Sequence, residues 1–185
     1  MKSEQQYFEE GKQIKEYMDN MSQLKELSFS IYNQFVLPED GAFIEQLKEA
    51  NVHILAITED WCGDAMLNNP VIRKVAEAAN VEVRAVLRDE DTDLIDRYLT
   101  NGGRAIPIYL VLNEAGEVIA KWGPRAPELQ QFVTEMRSAL PEKENPSFEE
   151  AQKAMYDRMR QQYTENPQMW TNVYEDFKKA LLESI

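Results

Sequence analysis

Cys62 is the only cysteine in 185 residues, and it stands in the stretch Ile57-Thr58-Glu59-Asp60-Trp61-Cys62-Gly63-Asp64-Ala65. A thiol attacks or exchanges only as the thiolate, so its surroundings decide whether it can act. The pattern after Cys62 predicts a helix over 63–79, interrupted by Pro70. Cys62 then sits at a helix start, where free backbone N–H groups and the positive end of the helix dipole favour the thiolate. Asp64 works against this. A carboxylate in the first turn suits the helix, but it competes for the same N–H groups and repels a thiolate. Glu59 and Asp60 add like charge in sequence, and Arg104 offsets it if its loop comes near. With no second cysteine, only a single-thiol mechanism is open: Cys62 attacks a mixed disulfide, or is attacked, and an outside thiol resolves the adduct. Trp61 offers a flat apolar surface beside the sulfur. Pro107 lacks an N–H and cannot donate to a sheet ladder.

Other chemistry-bearing residues are sparse. His53 is the only histidine and falls in a predicted buried strand, so it reads as a satisfied core residue. A Cys–His metal site or nucleophile pair is not expected, and neither is a cofactor. Asn101-Gly102-Gly103 lacks the lysine of a phosphate-binding loop and reads as a turn.

Composition narrows the classes further. Asp and Glu number 33 against 20 Lys and Arg, a net charge of −13, which argues against nucleic acid and anionic membranes. The 43% hydrophobic content is ordinary for a globular chain. One cysteine cannot form an internal disulfide, so a reducing, cytoplasmic setting is expected. The start of the chain has no apolar signal core, and its longest apolar runs are too short to cross a bilayer.

Elements that position these residues follow from pattern. Residues 3–35 read as helical, with Ser3 and Gln6 as a capping box. A helix is predicted over 39–50, then strands at 52–57, 81–87, 106–112 and 117–122, and helices at 63–79, 91–100 and 127–140. Two more helices follow Pro141. Ser147 and Glu150 suggest a capping box for the first. Asn166-Pro167 suggests an N-cap with proline at the first position of the second. Alternating strands and helices ending in a hairpin imply an α/β fold: a mixed sheet of about four strands, flanked by helices. The expected division is an N-terminal helical extension over 1–37, a domain over 38–140 and a C-terminal helical extension over 141–185 packing on it.

A strand, then Trp61-Cys62-Gly63, then a helix carrying Pro70 resembles the thioredoxin superfamily. Arg104-Ala105-Ile106-Pro107, 45 residues after Cys62 at its proline, resembles the family's cis-proline segment. Gly116 and Gly123 fall where its terminal hairpin needs them. Trp-Cys-Gly-Asp, with the later Trp122-Gly123-Pro124-Arg125, is similar to a bacterial thioredoxin-like group. The resemblance implies a thioredoxin fold with Cys62 as nucleophile and Trp61, Gly63, Asp64, Arg104, Ile106 and Pro107 at the substrate. The chain departs from the family at Ala65, where the resolving cysteine would stand, and at Ala56, where the buried acid would stand. Two readings remain. In the first, the protein performs monothiol exchange in cell redox homeostasis, on a protein or low-molecular-weight thiol or disulfide. In the second, it is a non-catalytic thioredoxin-fold module that binds a protein partner. The oligomeric state is left open.

Overall fold

The computed structural model describes all 185 residues. Its centre is a five-stranded mixed sheet in the order β1-β3-β2-β4-β5, from β1 (Lys12–Gln13), β2 (His53–Thr58), β3 (Val83–Leu87), β4 (Ile108–Leu112) and β5 (Val118–Trp122). β2 and β3 run parallel, joined through the helix α5 (Gly63–Ala79); the other three pairings are antiparallel. The two-residue β1 is one strand more than the sequence pattern suggests. It arises because Gly11 ends the first helix and lets the chain pair with β3. The expected helical run over 3–35 is therefore divided into α1 (Glu4–Glu10), α2 (Ile14–Asp19) and α3 (Lys25–Gln34).

Side chains alternate across the central strands, as the pleat requires. Leu55 and Ile57 of β2, with Ile108, Leu110 and Leu112 of β4, face a smaller core that holds Tyr7 and Phe8 of α1. Leu94 and Ile95 of α6 (Thr92–Asp96) cover the same face. Ile54, Ala56, Tyr109 and Val111 face the larger core, covered by α3, α5 and four further helices: α4 (Gly41–Glu49), α7 (Pro127–Ser138), α8 (Phe148–Glu165) and α9 (Pro167–Leu182). Both faces are buried, which is why these strands read as continuous apolar runs.

The terminal segments are part of this packing. Met155, Met159 and Tyr163 of α8 are buried in the larger core, as are Trp170, Val173, Tyr174, Phe177 and Leu181 of α9. The apolar stripes of both helices are thereby spent inside the molecule. Asp40 accepts from Tyr174 Oη at 2.9 Å and pairs with Lys178, fastening α9 to the start of α4.

Caps follow the sequence with one exception. Ser3 and Gln6 form the capping box of α1, and the Asn166 side chain accepts from Gln168 N ahead of α9. Ser147 does not cap α8. Its backbone is not extended, and its hydroxyl donates to Asn145 Oδ1 at 2.7 Å, so the local turn takes the group the cap needs.

Pro70 lies inside α5 and cannot donate to the carbonyl four residues earlier, that of Met66. Ser28 Oγ of α3 donates to this freed oxygen at 2.9 Å, and Ser28 is fully buried. A helix interruption legible in the sequence is thus completed by a distant side chain.

Candidate functional site

Cys62 is the N-cap residue of α5, with extended backbone, where β2 hands over to the helix. The N–H groups of Asp64 and Ala65 point at its sulfur, as the helix start dictates, and favour the thiolate. Burial opposes them and prevails. Cys62 is 8% exposed, and the loss of solvent, reinforced by the Asp64 carboxylate, pushes its thiol up to about 11. The thiol donates to Ile106 O at 3.5 Å, a contact open to the protonated form. The Ile106–Pro107 peptide is cis, as is Gly123–Pro124.

Asp64 is only partly free to act on the sulfur. Arg125 grips it with two contacts, Nε to Oδ1 at 2.9 Å and Nη2 to Oδ2 at 2.7 Å. Tyr163 Oη of α8 donates to the same Oδ1 at 2.8 Å. These side chains are nearly enclosed, 12% exposed for Arg125 and 10% for Asp64, so the pair is a buried one. Burial and the neighbouring carboxylate push the Tyr163 hydroxyl far above its ordinary value and keep it a donor. Arg125 lowers the thiol and Asp64 raises it, and both effects are smaller than burial.

The acidic neighbours in sequence look elsewhere. Glu59 accepts from Asp89 N at 3.0 Å, and Asp60 takes the backbone N and hydroxyl of Ser22 at 2.8 and 2.6 Å. Arg104 does not serve the sulfur. It forms a two-point pair with Asp96 at 2.7 and 3.0 Å on the surface, and Arg125 stands by the site in its place. An arginine in Gly123-Pro124-Arg125 was visible in the sequence, but its distance of 61 residues from Asp64 concealed the pairing.

A cleft of about 440 Å³ opens over the sulfur. One wall carries Trp61, Cys62, Gly63 and Asp64, a second carries Ala105 and Ile106, and α8 supplies Tyr156, Met159, Arg160 and Tyr163. Trp61 is 44% exposed, and the Arg88 guanidinium lies over its ring at 5.0 Å. Of the residues the sequence assigned to the site, Trp61, Cys62, Gly63, Asp64 and Ile106 meet here. Pro107 is buried behind Ile106, and Arg104 lies outside. The contributions of α8 are not legible in the sequence, because Met159 and Tyr163 carry the same helical spacing as any core stripe.

His53 is half-buried, packs against Phe8 with centroids 4.4 Å apart, and bonds through Nε2 to Gln5 Oε1 at 2.6 Å. No group of three or more His, Cys, Asp and Glu side chains is placed to hold a metal ion, and no helix is long and apolar enough to cross a membrane.

A family model described as Thioredoxin matches residues 11–137. No curated protein matches the sequence. Among solved structures, a protein of unknown function from Pseudomonas aeruginosa is similar, with a TM-score of 0.66 and 18% identity over 99% of each chain. An HIV epitope scaffold is similar with a TM-score of 0.68 and 17% identity over 100% of each chain. Identities this low speak for the shared fold alone.

Proposed function

The chain belongs to the thioredoxin family, and from that premise we propose that it is a binding protein built on the thioredoxin fold, with the cleft over Cys62 as its ligand site. The observation that carries this reading is the state of the thiol. Cys62 is enclosed, held protonated by burial and by Asp64, and bonded to Ile106 O. A nucleophile at neutral pH needs the opposite. Ala65 occupies the position of the family's resolving cysteine and is itself buried. The partner enters at the cleft, one wall of which is α8, and not along α9, whose apolar stripe is used in the core. A reducing, cytoplasmic setting and the division at 38–140 with extensions on either side belong to the same proposal.

One observation favours monothiol exchange as a second reading. The sulfur lies beside Ile106, with two backbone N–H groups directed at it and an open cleft above. Exchange there would break a substrate disulfide, expel one of its sulfurs as a thiol and leave Cys62 joined to the other until an outside thiol released it.

The rate of Cys62 alkylation by iodoacetamide between pH 5 and 10 separates the two. The binding reading expects slow modification with a midpoint above the free-thiol value of about 8.5. Fast modification with a midpoint well below that value would establish a working nucleophile and overturn it.

A further inference from the structure

The cleft over Cys62 gathers arginines. Of the nine in the chain, four line it: Arg88, Arg125, Arg137 and Arg160. They arrive from separate elements: the turn after β3, the turn after β5, and the helices α7 and α8. Asp64 is the only acidic residue in the lining. The lining thus carries an excess of positive charge inside a molecule whose net charge is −13. Like charges brought together in a partly enclosed space repel one another more strongly than on an open surface. Of the chain's 33 acidic residues, Asp64 alone lies in the lining; Asp89 and Asp157 reach Arg88 and Arg160 from outside it, and Arg137 has no acidic partner.

The four guanidiniums are not equally committed. Arg125 is consumed by Asp64. Arg88 is held by Asp89 at 2.9 and 3.1 Å and donates to Arg104 O, which fixes it over Trp61. Arg160 pairs with Asp157, whose side chain is 59% exposed, one turn earlier on α8. Exposed pairs of this kind are weak and exchange readily for a better anion. Arg137, exposed at the end of α7, forms no ion pair and no side-chain hydrogen bond. Two guanidiniums from two helices are thereby free to close on one ligand. Arginine presents a planar fork of donors suited to two-point recognition of carboxylate and phosphate. A volume of about 440 Å³ suits a small molecule.

We propose that the ligand of this cleft is a small molecule carrying two or more negative charges, as phosphate or carboxylate groups, gripped by Arg137 and Arg160 at the mouth and seated against Trp61. This deepens the binding reading and rests on it for the location of the site. The neutral thiol beneath adds no charge against such a ligand.

Calorimetric titration with pyrophosphate and with citrate tests this and separates the two anionic chemistries. Binding is expected for at least one of them, weakening as salt is added. Arg137→Gln and Arg160→Gln are each expected to weaken it about tenfold. Arg158→Gln, exposed on α8 outside the cleft, is expected to leave it unchanged. Bound anion should also slow Cys62 alkylation, which places it over the sulfur. Absence of binding by both probes at millimolar concentration would overturn the proposal. So would affinity that is indifferent to both cleft substitutions, or reduced equally by Arg158→Gln. The pH midpoint of alkylation without anion judges the binding reading separately. A low midpoint with anion binding intact would sink that reading and leave the arginine site standing.

Discussion

At the scale of single residues, the decisive quantity is the balance of charge around one sulfur. Helix N–H groups and Arg125 pull the Cys62 thiol down; burial and Asp64 push it up, and the upward causes win. Two substitutions should move it in opposite directions. Asp64→Asn removes the repelling carboxylate and leaves Arg125 beside the sulfur, so the alkylation midpoint should fall below that of the parent protein. Arg125→Met removes the favourable charge and leaves Asp64 unneutralised, so the midpoint should rise. Both break a buried ion pair and should cost about 3 kcal/mol in urea unfolding. If neither substitution moves the midpoint, burial alone sets the thiol and the account of Asp64 is wrong.

At the scale of elements, the cleft depends on connections that tolerate little change. Gly123, between β5 and α7, has φ +120°, which side-chain-bearing residues rarely adopt. A Cβ there would meet Pro107 O at 2.3 Å, far inside contact distance. Gly123→Ala should therefore destabilise the fold by more than about 2 kcal/mol in denaturant titration, through strain and displacement of the Pro107 segment. A loss within a few tenths of a kcal/mol would mean that the two segments are not packed as described. The helix α8 has a double task at this scale. Met155, Met159 and Tyr163 anchor it in the larger core, while Tyr156 and Arg160 form the cleft wall. Trp170 Nε1 donates to Tyr163 O at 2.7 Å, so α9 holds in place the residue that touches Asp64.

At the scale of the whole molecule, the titrating groups set a pH range of stability. Glu4, Asp40, Asp60 and Asp91 all gain hydrogen bonds that hold their carboxyls below the ordinary range. An acid lowered in the folded state adds stability above its unfolded value, near 4, and loses it as pH falls through the folded value. Cys62, pushed up to about 11, and Tyr7, pushed up to about 12, behave in the opposite sense. The unfolded chain sheds these protons first, so stability declines as pH climbs from about 8.5, and the other buried tyrosines add to the loss above about 10. His53, lowered by burial, resists a proton that the unfolded chain takes up near 6.5, so urea midpoints should show a plateau between about 6.5 and 8.5, a shallow decline below it, a steeper one below about 5 and a fall above 8.5. A midpoint still rising at pH 10 would contradict the raised values.

Fold class and most elements are legible along the chain. Period-two and period-3.6 spacing, the capping residues and the prolines are local signals, and local signals survive in one dimension. Trp61-Cys62-Gly63, Pro70 and Ile106-Pro107 gave the family in the same way, since its marks lie at fixed separations along the chain. The brief strand at Lys12–Gln13 is not legible there, because two residues carry no period. Tertiary structure decided the character of the site. Whether a helix-start cysteine is acidic depends on burial and on charges brought from afar, here Arg125 from 63 residues along the chain and α8 from about a hundred. No spacing rule reveals that Arg104 turns to Asp96 while Arg125 takes Asp64, because the partner of a long side chain is chosen by the packing of the elements that carry it.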